Sequence, residues 1–188
     1  MVTEQQPYEL VRRARGYELR RYPACVVAEV QVTGEFEQAG SLGFRPLVEY
    51  IGGRNRTRES VAMTAPVVQS RSLAMTAPVI QTPVFQARGP EHVIAFVLPQ
   101  SVTIESAPIP TDARVRVRVL APSLTAVARF SGRWSQAAYL KHVEDLRVWI
   151  TAEGLIPVSE PRFARFDPPF KPWFLRRNEV HIDVTEPN

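Results

Sequence analysis

A pattern stated twice limits what this chain can become. Cys25 to Thr33 is a Val-rich run of β character closed by Gly34. From Glu35 to Ile51 the apolar residues Phe36, Ala39, Gly43, Leu47 and Ile51 then recur every three or four positions until Gly52-Gly53. About 98 residues later the order returns: Leu124 to Phe130 reads as a strand, Ser131-Gly132 breaks it, and Ser135 opens a helix with Tyr139, Val143, Leu146 and Ile150 on one face, ended by Gly154. Such a stripe is that of a helix lying on a sheet, with serine accepting from free N–H groups at its start and glycine past its end. We therefore expect a duplicated β-β-α-β-β unit with pseudo-twofold symmetry. Its half-repeats span roughly 8–104 and 111–188 of a single domain, 1–188, with proline-rich Ala107-Pro108-Ile109-Pro110 at the boundary. The two sheets join edge to edge or curl into a barrel with both helices outside, an α+β fold, and a ligand cleft is expected between such halves.

Shorter repeats sit inside this frame. Ala62-Met63-Thr64-Ala65-Pro66-Val67-Val68-Gln69 is echoed at Ala74-Met75-Thr76-Ala77-Pro78-Val79-Ile80-Gln81, twelve residues on. The copies are too close for solenoid units, and the polar Ser70-Arg71-Ser72 between them suggests a hairpin, with its prolines at strand ends or bulges because proline cannot donate to a ladder. Tyr8 to Arg13 and Tyr17 to Tyr22 read as another hairpin, and Val93 to Leu98, apolar throughout, as a strand covered on both faces. Pro46 lies inside the first helix and calls for a kink or restart there. Arg114, Arg116 and Arg118 alternate with three valines, a solvated face over a core face or, on a curved sheet, an anion clamp.

Composition narrows the function classes. No run approaches the 18 or so apolar residues of a membrane helix, and the first residues lack the charged and apolar regions of a secretory leader, so a cytoplasmic protein is expected. Cys25 is the single cysteine, which excludes an internal disulfide and multi-cysteine metal sites, and its apolar neighbours indicate a buried structural thiol. Lys141 and Lys171 apart, the 23 basic residues are all arginine, whose planar fork suits carboxylate or phosphate. A net charge of +4 is too mild to argue for nucleic acid, and the arginine row lacks interleaved aromatics, so no nucleic-acid partner is expected. There is no Gly-x-Ser-x-Gly elbow, His-Glu-x-x-His helix, phosphate loop or dinucleotide fingerprint, hence no catalytic residue to name.

The twin Ala-Met-Thr-Ala-Pro-Val phrases resemble the SOUL haem-binding protein family. So does the tail from Phe166-Asp167-Pro168-Pro169 through Phe174-Leu175-Arg176-Arg177-Asn178-Glu179-Val180, together with Tyr17-Glu18-Leu19-Arg20-Arg21-Tyr22-Pro23 and Tyr50-Ile51-Gly52-Gly53-Arg54-Asn55. The resemblance runs from about Tyr8 to Val184. It implies a distorted antiparallel β-barrel with two helices, similar to the GyrI-like ligand-binding fold, and noncovalent binding of haem or another tetrapyrrole in an apolar cleft beside the first helix. Carried onto this chain, that helix offers Ser41, Phe44, Leu47 and Val48 to the ring, and Arg54, Arg56 or Arg58 could reach the propionates. His92, His142, His181, Met63 and Met75 are the candidate iron ligands, each with an ordinary structural role as its alternative. A soluble haem carrier or buffer is the first reading. A small-molecule-binding or hydrolytic enzyme on a GyrI-like fold is the second, and an arginine-row nucleic-acid binder the third.

Overall fold

The computed structural model describes residues 4–71, 90–168 and 170–187. Local signals set most of its elements. Strands β1 (Glu4–Gln5), β2 (Glu9–Ala14), β3 (Tyr17–Tyr22) and β4 (Cys25–Thr33) are followed by helix α1 (Phe36–Ile51), which runs through Pro46 as one helix. The short β5 (Thr64–Ala65) and β6 (Val67–Arg71) flank Pro66, and β7 (Glu91–Val97), β8 (Val115–Leu120) and β9 (Ser123–Phe130) lead to helix α2 (Gln136–Ala152). Ser135 caps α2 as expected, its Oγ accepting from the Ala138 N–H at 3.3 Å. Gly154, at φ +70°, supplies the left-handed turn that lets the chain leave. Strands β10 (Ile156–Pro157), β11 (Arg162–Arg165) and β12 (Asn178–Thr185) complete the chain.

One large antiparallel sheet carries both helices. Its order is β2-β3-β9-β12-β11-β6-β7-β4-β8, with β10 added to the end of β12. From β3 to β8 this order is unchanged when β3 is exchanged with β8, β9 with β4, β12 with β7 and β11 with β6. The exchange centres on the β6–β11 pairing, where Gln69 lies opposite Phe163. The strand that opens each unit does not pair with its own successor: β3 lies on β9 (Tyr17 opposite Ala128) and β8 lies on β4 (Cys25 opposite Leu120).

The expected barrel does not close. Strands β2 and β8 are free edges among the described residues. Both carry exposed arginines, Arg12 and Arg13 on one and Arg116 and Arg118 on the other side of the sheet, and like charge on an edge discourages pairing. The row of three arginines is no free anion clamp either, since Arg114 pairs with Asp112 and Arg118 with Glu29. The hairpin expected of the twin phrases has only its first arm among the described residues. Both edges of β6 are filled, by β7 and β11, while β5 pairs in parallel with β1; the second phrase, Met75 included, lies outside the described residues.

Each helix covers its own part of one face of the sheet. Ala39, Leu47, Tyr50 and Ile51 of α1 pack on Val26, Ala28, Val30, Ile94 and Phe96, and Val143, Leu146, Trp149 and Ile150 of α2 on Leu19, Ala126, Ala128, Val180 and Ile182. Between them Phe36, Tyr139 and Phe163 form a ring cluster with centroids 5.1 to 5.6 Å apart. Gly43 lets α1 approach β7 closely, because a Cβ there would lie 2.4 Å from Ile94 Cγ1 and 2.5 Å from its Cβ. The proline-rich Ala107 to Pro110 is no loose linker: Tyr50 Oη donates to the Pro108 carbonyl at 2.8 Å. Among the described residues no helix is long and apolar enough to cross a membrane.

Candidate functional site

The outer flank of α1 faces a cleft. Gly40, Ser41 and Phe44 form one wall of a cavity of about 460 Å³, Met63 to Ala65 and Val67 another, and Trp134 with Arg165 to Pro168 the third. The volume is that of a small-molecule site, and the walls are mostly apolar. Each wall is held in place. The Phe44 ring packs edge-on against Phe96, with centroids 5.4 Å apart. Trp134 Nε1 donates to Asn178 Oδ1 at 2.8 Å, and the Arg165 and Arg176 guanidiniums lie over its ring at 4.9 and 4.5 Å from the centroid. Phe166 stacks against Arg177 at 3.9 Å.

Arg165 is the least exposed cation of this cleft, whose described lining also carries Glu37, Arg45 and Asp167. Its only hydrogen bond among the described residues runs from Nη2 to Gln69 Oε1 at 2.7 Å, and Gln69 is itself fixed by donating to the Phe36 carbonyl at 3.1 Å. Among the described residues the buried Nε finds no acceptor and Thr64 Oγ1, in the same cleft, no partner. Burial lowers the guanidinium pKa to about 10, partly offset by the charge of Glu37, so the group stays cationic at neutral pH. An arginine on the opposite face shows the contrast: Arg20, buried, is satisfied bidentately by Glu179 at 2.8 and 3.0 Å. A guanidinium partly out of water, with no carboxylate bonded to it among the described residues, carries a cost that an incoming anion relieves. Gly40 makes room for it, since a Cβ there would sit 2.2 Å from Arg165 Nη1.

The cleft's own carboxylates are occupied. Glu37 accepts from the Gln136 N–H at 3.0 Å, capping α2 from α1, and that hydrogen bond lowers its pKa. For Asp167 partial burial works upward but is outweighed by the Arg177 N–H and Lys171, leaving it below the usual range. Neither is poised near neutrality to act as a general base.

The six residues singled out in the sequence separate here. Ser41 and Phe44 line the cleft. Leu47 does not: it is fully buried, pointing into the core between α1 and the sheet. Val48 is 36% exposed and lies outside the cleft lining. Arg54 pairs with Glu49 at 2.7 Å, and the exposed Arg56 is tied to the Ile109 carbonyl through its backbone, so neither is in the cleft wall. Among the candidate iron ligands Met63 lines the cleft, whereas His181 is bonded to Glu179, His142 stacks on Phe130 and His92 packs edge-on to Phe36. Among the described residues no cluster of histidine, cysteine and carboxylate could hold a metal ion. Sequence reasoning missed Arg165, Trp134 and Gly40. The available signal was a pair of glycines one turn apart in a helix interior, a costly choice unless something packs against the backbone.

Comparison with known proteins agrees with this architecture. A sequence model of the SOUL heme-binding protein family matches residues 3–183. Heme-binding protein 1 of Xenopus laevis is 26% identical over 166 residues, covering 88% of this chain and 82% of that protein. Among solved structures, the C-terminal domain of EcmrR superimposes with a TM-score of 0.66 at 11% identity, over 96% of this chain and 99% of that one. An uncharacterized conserved protein from Listeria innocua gives 0.64 at 12% identity, over 91% and 93%. At such identities these two likenesses speak for the fold alone.

Proposed function

Because the chain belongs to the SOUL heme-binding protein family, we propose that it binds haem or a related tetrapyrrole noncovalently in the cleft beside α1 and acts as a carrier or buffer. The observation that carries this reading is Arg165: a partly buried guanidinium without a carboxylate partner among the described residues, set among Trp134, Phe44 and Phe166. A flat apolar ring bearing carboxylates matches that combination, the ring against the aromatic walls and one carboxylate on the arginine fork.

The residues present fit the group. Phe44, Ala65, Val67 and Pro168 supply apolar wall, Thr64 and Arg165 spare hydrogen-bond capacity, and Met63 the single sulfur donor among the described lining residues. When bound, haem would bring an iron open to redox and axial-ligand chemistry. The protein's own part is to exclude water from the ring and hold its carboxylate. With Glu37 and Asp167 engaged as acceptors, the cleft is furnished for binding rather than for hydrolysis.

Titration with hemin tests this. A saturable shift of the Soret band is expected, and Arg165→Leu should weaken binding on the order of tenfold or more, the scale of a lost charge-assisted bond. Because the grip described rests on ring and carboxylate, iron-free protoporphyrin IX should bind about as tightly. An unsaturable hemin response would remove the reading. Full affinity in Arg165→Leu would remove the site.

A further inference from the structure

The loop after β11 shows its apolar side chains to solvent. Phe170 is 87% exposed, Trp173 49%, Phe174 57% and Leu175 58%. A floppy loop would expose such groups only in passing, but this one is built. The 3-10 turn Trp173–Leu175 is closed by the Leu175 N–H to the Pro172 carbonyl at 2.9 Å, and Arg176 Nε donates to the Lys171 carbonyl at 2.7 Å. The Trp173 carbonyl accepts from the Gly132 N–H at 3.1 Å, and Asp167 takes both Lys171 Nζ and the Arg177 N–H. These hydrogen bonds hold the turn with its apolar groups outward.

Behind the turn lies a groove of about 490 Å³, edged by Phe174 and Leu175. Among the described residues Arg13, Arg129, Arg176 and Arg177 line it with one carboxylate, Glu18; Arg13 is paired with that carboxylate and Arg177 with the buried Glu179. Exposed aromatic and aliphatic tips over a basic groove complement one kind of surface: acyl chains beneath a layer of anionic headgroups. Tryptophan prefers that boundary, having an apolar ring and a polar N–H. We propose that the Phe170 to Leu175 turn docks the protein on anionic phospholipid bilayers, with the tips in the headgroup boundary and the groove on lipid phosphates.

The position of the turn suits this role. Trp134, which lines the α1 cleft, is stacked under Arg176 of the turn's base, so docking would set the cleft mouth near the membrane surface. A ligand that partitions into lipid would then meet the cleft without crossing bulk water.

Sedimentation of the full chain with vesicles tests the proposal. Binding is expected to phosphatidylcholine vesicles containing phosphatidylserine but not to phosphatidylcholine alone, weakening as salt rises, with a blue shift of tryptophan emission. Phe170→Ser with Phe174→Ser should lower the partition on the order of tenfold or more at unchanged circular dichroism, since both rings are exposed. Arg129→Glu should lower it with the turn intact. Failure to sediment with anionic vesicles would overturn the proposal, as would equal binding by the double variant. Retention on an anionic polymer without vesicle binding would overturn it too, indicating a nucleic acid or an acidic protein as partner. Hemin affinity, read separately in vesicle-free buffer, should be unchanged in Phe170→Ser with Phe174→Ser.

Discussion

Replacing Gly43 by alanine should destabilise this protein, although the same change in an ordinary helix interior would stabilise it by about 1 kcal/mol. The added Cβ would lie 2.4 Å from Ile94 Cγ1, 2.5 Å from its Cβ and 3.1 Å from its Cγ2. Carbon atoms rest at about 3.5 to 4.0 Å, so two contacts fall short by an ångström or more. No rotamer of Ile94 clears its own Cβ, and the strand beneath is central in the sheet, paired on both sides. The helix must therefore lift, loosening Ala39, Leu47 and Tyr50 from the sheet. Overpacking costs about 1–3 kcal/mol, the upper end applying where an atom next to the backbone is struck. After the propensity gain a net loss of about 2 kcal/mol remains, or roughly 4–8 °C in Tm for a chain of this length. Urea denaturation reads it directly. The Ile94→Ala background sharpens the test: it keeps the Cβ, so Gly43→Ala should still destabilise there. Equal or greater stability of Gly43→Ala in the wild-type chain would refute the close-approach argument.

Gly40→Ala behaves differently, because its added Cβ strikes the tip of a long side chain, Arg165 Nη1. Stability should change little while hemin affinity falls several-fold, and unchanged affinity would separate Arg165 from the ligand. Ser135→Ala removes the Oγ that caps α2 and should cost about 1 kcal/mol in urea unfolding. Acid should weaken the fold in two stages. Burial holds the His181 pKa below 6.5, so its neutral form is the native one, and stability declines as pH falls through that ordinary value, where the unfolded chain takes up the proton first. For Glu179 burial works upward, but His181 and Arg20 override it and hold the carboxyl far below 4.5, so its contribution persists above that value and is lost as pH falls beneath it. Urea midpoints from about pH 8 to 5 should fall for the wild type and stay flatter for His181→Gln; parallel curves would rule out the histidine stage.

Signals confined to a few residues read true. The Phe36–Ile51 stripe, the Ser135 cap, and the strands Cys25–Thr33 and Tyr17–Tyr22 sit where periodicity and turn residues put them. Pairing choices were less legible, because the first Met-Thr-Ala-Pro phrase offers the same β pattern to any neighbour, and β7 and β11 take both edges of β6. Closure could not be read either, since repeated units fit a barrel and an open sheet alike. Within the site, Ser41, Phe44, Leu47 and Val48 came from the family resemblance, while helix periodicity by itself put Leu47 on the buried stripe with Phe36, Ala39, Gly43 and Ile51, where it lies. Arg165 lies on a four-residue strand 125 positions after Gly40, and their meeting depends wholly on tertiary packing.

The crossed pairing of β3 with β9 and of β4 with β8 also bears on how this chain is made. Tyr17 waits for Ala128, and Cys25 for Leu120, so during synthesis about half the chain must emerge with strand edges unfilled. Loop-closure entropy makes such distant pairings slow to form, and open edges recruit other chains. A chain stalled near residue 104 would present β3, β4 and β6 with vacant edges and should be prone to aggregate. Quality control should weigh on such unfinished chains more than on the finished protein.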